Sequence, residues 1–106
     1  MELHEIPTVF QSRLRLAVVA ALMTGPKDFT TLTKLTDSTP GNLGKQMELL
    51  EAEGYLTCQK ELLGRRPRST YALTETGRET FRAYVQMLDR IVSGQAMTEK
   101  EGKGKT

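Results

Sequence analysis

Hydrophobic positions recur at helical spacing from Val9 onward, where Leu14, Ala17, Val18, Ala21 and Leu22 form a stripe. Leu16, Val19 and Met23 thicken it until the predicted helix is apolar nearly all round, so it has to be buried on several sides. Ser12 or Thr8 is placed to cap this helix, and Gly25 and Pro26 end it. Asp28 or Thr30 opens a short second helix through Leu32 and Leu35, with Phe29 packing beneath it. The turn TDST follows, rich in side chains that bond their own backbone. A third helix is capped by Ser38 or Thr39, takes Pro40 at its first position, where a missing N–H costs nothing, and ends at Gly54. Its buried stripe is Leu43, Met47 and Leu50, which leaves Asn42, Lys45 and Gln46 pointing elsewhere near its start.

After Gly54 the period changes to alternation. Leu56, Cys58 and Leu62 share one face, and Thr57, Gln59 and Glu61 the other. The strand stops at Gly64. Arg65, Arg66 and Arg68 follow around Pro67, and from Ser69 to Leu73 the chain alternates again with Tyr71 and Leu73 inward. This predicts a two-stranded ribbon with a cationic tip. Thr74 then caps a long last helix, in which Phe81, Tyr84, Val85, Leu88, Ile91 and Val92 make one sustained stripe. The fold class is therefore mostly helical α+β. Residues 1–93 are expected to form one domain, preceded over Met1 to Thr8 by a loose polar arm, and residues 94–106 a flexible tail poor in large apolar groups.

Composition narrows the function more than the fold. The chain has 106 residues with 38% hydrophobic and 26% charged, enough for one core. Its net charge is only +2, so attraction to nucleic acid has to come from local clustering. The single cysteine, Cys58, excludes an internal disulfide and a cysteine-rich metal site and fits a reducing compartment, the cytoplasm. On the inward face of its strand, Cys58 reads as a small core hydrophobe rather than a redox sensor, and His4 as a surface residue. No apolar run is long enough to span a membrane, and the acidic start MELHE lacks the basic flank of a secretion signal.

Two stretches carry candidate chemistry. Asn and Gln near a helix start can pair with base edges, and three arginines on a ribbon tip repel one another without filling a core. The run GNLGKQMELLEAEGYL, the tip GRRPRSTY and the LTETGR beyond it resemble the small winged helix-turn-helix transcription regulators, relatives of the MarR and ArsR groups. The resemblance covers residues 9–88, and the tip is its most specific part. It implies a transcription regulator on double-stranded DNA, which the long last helix would let act as a homodimer. The third helix would lie in the major groove, with Thr39, Gly41, Asn42, Lys45 and Gln46 at the DNA. The wing, with Arg65, Arg66 and Arg68, would meet the minor groove or the phosphates. Members usually carry a hydroxyl residue where Gly44 stands and often a histidine where Gln46 stands, so no base sequence is implied.

The last helix outreaches its short neighbours. Phe81, Tyr84, Val85, Leu88, Ile91 and Val92 are accordingly read as a dimer contact, with Leu14 and the apolar first helix as neighbours, although the stripe can also cover the domain's own core. Any small effector would then bind at the dimer seam. An enzyme is not expected: GRRPRS lacks phosphate-cradling glycines, one His and one Cys cannot hold a metal, and no carboxylate pair sits in an apolar stretch. No cofactor is implied. The alternative function is a winged-helix module that binds protein or RNA through another face.

Overall fold

The computed structural model describes residues 1–94, and the tail expected beyond them lies outside that range. Two short 3-10 turns, Leu3–Glu5 and Thr8–Gln11, precede the first helix, α1 (Arg13–Leu22). Val9 and Phe10 are therefore buried from a turn of their own rather than from the helix. Ser12 is the cap, accepting from the backbone N–H of Arg15. The expected loose arm is tied down: Ile6 packs against the core, and Arg90 donates to the carbonyl of Met1 at 3.3 Å.

Asp28 caps α2 (Phe29–Thr36) by accepting from Thr31 N–H at 2.7 Å. Leu32 is buried, whereas Leu35 faces outward and is exposed. Asp37 turns the chain in the left-handed region at φ 50°, and α3 (Pro40–Ala52) begins with Thr39 as its cap and Pro40 in its first turn. Ser38, the other candidate, bonds to Thr36 instead. Gly54 at φ 79° carries the chain out of the helix. Leu43, Met47 and Leu50 are its buried residues, as the spacing requires.

The sheet differs from the expected two strands. Lys27–Asp28 forms β1, which pairs antiparallel with β3 (Arg66–Leu73), and β3 pairs in turn with β2 (Leu56–Leu63). The ribbon also closes earlier than its composition suggests. Leu63 pairs with Arg66, so the turn is Gly64 and Arg65 alone, with Gly64 at φ 65°, while Arg66 and Arg68 are strand residues. Leu56 is buried and Cys58 half-buried beside Tyr71, its partner across the strands. Leu62 belongs to the same face by period yet is 70% exposed, because the hairpin outruns the body it packs on.

Thr74 caps α4 (Glu75–Val92) and donates to the carbonyl of Gly54 at 2.6 Å, which ties the helix start to the end of α3. The core joins Val18, Val19 and Leu22 of α1 to Leu32, Leu43, Met47, Leu50, Leu56 and Tyr71. Beside it stands an aromatic group. Phe10 meets Tyr55, Phe81 and Tyr84 with centroids 5.8, 5.9 and 5.2 Å away. Phe81 and Tyr84 of the α4 stripe thus cover the chain's own core, and Met87 is, with Gly77, a buried residue of that helix that the stripe omitted.

Candidate nucleic-acid interface

The start of α3 is built by its cap. Thr39 Oγ1 accepts from Asn42 N–H at 3.2 Å, and Thr39, Gly41, Asn42 and Lys45 are exposed on the first turns. A Cβ at Gly41 would meet nothing within 4 Å, so that turn faces open space. Gln46 is different. It is half-buried, its Oε1 accepts from Arg15 Nη1 at 2.7 Å, and its Nε2 donates to Asn42 Oδ1 at 3.2 Å. Arg15 is held in turn by Nε donating to the carbonyl of Val9 at 2.9 Å. Arg13 joins Thr36, Asp37, Ser38, Thr39 and Asn42 around an open groove of about 530 Å³ beside the helix start. The sequence reading missed both arginines. Their signal was present as two charges at the head of an otherwise apolar run, pointing off its buried side.

On the wing, Arg65 and Arg66 are exposed and make no ion pair among the described residues. Arg68 is not equivalent. Its Nε lies 3.6 Å from Asp28 Oδ2, with side chains 44% and 26% exposed, a long and solvated pair of small energetic value. The hydrogen bonds from Thr31 hold the Asp28 carboxyl below its ordinary value, and the Arg68 guanidinium adds to the shift. One carboxylate therefore caps α2 and tethers the base of the wing. A cleft lined by Asp28, Thr30, Leu63, Arg65, Arg66 and Arg68 lies between wing and α2.

Three helices with a capped turn, followed by a hairpin paired to a short strand, place a polar helix start and a basic ribbon outside one core. The winged helix DNA-binding domain family model matches residues 14–92. The chain belongs to this family. It is a DNA-binding winged helix domain rather than an enzyme. No curated protein sequence matches it. Among solved structures it is similar to a transcriptional regulator homologue from Pyrococcus horikoshii OT3, at 26% identity and TM-score 0.73 over 81% of this chain and 86% of that one. A MarR family transcriptional regulator from Enterococcus faecalis V583 superimposes at 20% identity and TM-score 0.71, covering 91% and 84%. PadR of Bacillus subtilis, in complex with operator DNA, matches at 18% identity and TM-score 0.64 over 71% of this chain and 48% of that one. The last two likenesses concern the fold alone.

In this winged helix, the α4 residues divide. Phe81 and Tyr84 pack on Phe10 and Ile91 is half-buried, whereas Val85, Leu88 and Val92 are exposed at 44%, 37% and 85%. A narrow apolar groove of about 250 Å³ between Met23, Phe81, Arg82, Val85 and Gln86 runs beside that exposed edge. No helix among the described residues is long and apolar enough to cross a membrane, and no group of His, Cys, Asp or Glu there could hold a metal ion.

Proposed function

We propose that the protein is a transcriptional regulator of the cytoplasm that binds double-stranded DNA sequence-specifically as a homodimer. The start of α3 enters the major groove, and the wing tip lies on flanking phosphates or in the minor groove. Thr39, Gly41, Asn42, Lys45 and Gln46 belong to the first contact, and Arg65, Arg66 and Arg68 to the second. The observation that carries this reading is the pair Arg65 and Arg66, two exposed cations at a hairpin tip with no ion-pair partner among the described residues. A net charge of +2 makes such local clustering decisive for attracting phosphate. The exposed edge of α4 at Val85, Leu88 and Val92 supplies an apolar face for a second copy.

The test is duplex binding by fluorescence anisotropy across a series of salt concentrations. In a two-fold dimer each substitution counts twice, so Arg66→Ala should flatten the slope of log affinity against log salt by roughly 2 and weaken binding to all sequences. A greater loss on A·T-rich than on G·C-rich flanks places the arginine in the minor groove. If a variant lacking Arg65, Arg66 and Arg68 keeps both affinity and slope, the tip is a solvated loop and a protein- or RNA-binding module becomes the better reading.

A further inference from the structure

We infer that Arg15 is a positioning residue for base recognition: it orients Gln46 and, through it, Asn42, so that α3 offers hydrogen-bond donors to the major groove and reads guanine. This rests on the reading that the start of α3 lies against DNA. The argument runs along three side chains. A guanidinium can only donate, so the Gln46 atom 2.7 Å from Arg15 Nη1 has to be its carbonyl oxygen. The amide nitrogen of Gln46 then points the other way, toward Asn42 at 3.2 Å. A nitrogen carrying hydrogens requires an acceptor there, which fixes Oδ1 of Asn42 inward and leaves its Nδ2 group outward. Arg15 is itself immobilised through Val9, so the orientation is set before DNA arrives.

The consequence concerns which base fits. Free asparagine or glutamine pairs with adenine by offering one donor and one acceptor together. Here each carbonyl oxygen accepts a bond within the protein and is turned toward it, and the Asn42 amide hydrogens and the Lys45 ammonium are exposed donors on these turns, beside the Thr39 hydroxyl, which can donate or accept. The paired donors of Asn42 and Lys45 complement guanine, whose major-groove edge offers the N7 and O6 acceptors and no donor.

Two substitutions separate this from a structural role. Gln46→Glu still accepts from Arg15 but can no longer donate to Asn42, so Asn42 turns its amide hydrogens inward and its carbonyl outward. Preference at the contacted position should move from guanine to adenine or cytosine, which present amino donors. Arg15→Leu frees Gln46 to rotate and should blur the preference, and Arg15→Lys, which keeps a donor, should retain it. The experiment selects bound duplexes from a randomised pool with each variant and reads base ratios, so the charge added by Gln46→Glu cancels. Asn42→Ala marks the contacted position, and thermal melting confirms that each variant is folded. Replacing guanine there by 7-deazaguanine should cost the parent on the order of tenfold in affinity. Adenine enriched at that position by the parent, or guanine retained by Gln46→Glu, overturns this inference while salt-dependent binding upholds the DNA reading. Absence of salt-dependent binding to the whole pool overturns both.

Discussion

Gly77 lies against the backbone carbonyl of Tyr55, so close that a Cβ at this position would collide with the carbonyl oxygen. The same oxygen accepts the N–H of Thr74 at 3.0 Å, and Thr74 Oγ1 accepts from Gly77 N–H at 3.0 Å. The start of α4 is therefore fastened onto the junction of α3 and β2. Gly77→Ala would gain up to about 1 kcal/mol of helix propensity. Main-chain atoms cannot swing aside as a side chain can, so overpacking should win and the net loss should be about 1–3 kcal/mol. A lowered urea midpoint checks this, and an unchanged or raised one would show that α4 shifts freely.

Two adjacent leucines test the rotation of α3. Leu50 is fully buried and Leu49 is 44% exposed. Leu50→Ala should destabilise by about 2–5 kcal/mol. Leu49→Ala should stay within about 0.5 kcal/mol. Equal effects in urea unfolding would mean that the helix packs on a different face.

Asp28 joins a helix cap to the wing, and its carboxyl is held below the ordinary value of 3.8. The folded state thus favours the ionised form. Its contribution is present in full above the unfolded value and is lost as pH falls through the lower folded one. Asp28→Ala should cost about 0.5–2 kcal/mol near neutrality, and the gap from the parent should close on acidification below pH 3.8. Denaturation midpoints measured down that range decide it. A gap that stays constant would assign the effect to packing.

The proposed dimer can be tested without harming the core. Val85, Leu88 and Val92 recur at i, i+3 and i+7 on the exposed edge of α4, while Phe81 and Tyr84 face Phe10. Val85→Glu with Leu88→Glu should convert a dimer to a folded monomer in sedimentation velocity, with unchanged circular dichroism. Tyr84→Ala should instead lower the melting temperature. A double variant that sediments like the parent would show that this edge is not the contact.

Much of this molecule is written in short-range chemistry. The cap at Thr74, Pro40 at the start of α3 and the left-handed Gly54 were legible because each acts on its own neighbours, whereas Ser12 and Thr39 were each one of two candidates between which only the structure chose. The stripe of Leu43, Met47 and Leu50 and the alternation through Leu56 and Tyr71 followed from the two backbone periods, which decide the residues that share a face. What meets that face is another matter. Leu62 keeps the period of Leu56 yet stands in solvent, and the α4 stripe is divided between the core and an open edge, because neither period says where the rest of the body ends. β1 has two residues, too few for any period, and exists through its pairing with β3. Arg15 with Gln46, 31 positions apart, and Arg68 with Asp28 were beyond sequence reading because helix packing and strand register bring them together. The sequence by itself determined α1 to α4 apart from the start of α1, the hairpin, and the exposed residues of the α3 start and the wing other than Gln46. Tertiary structure decided which polar groups remain free, since a donor's partner depends on geometry between elements that spacing along one element cannot encode.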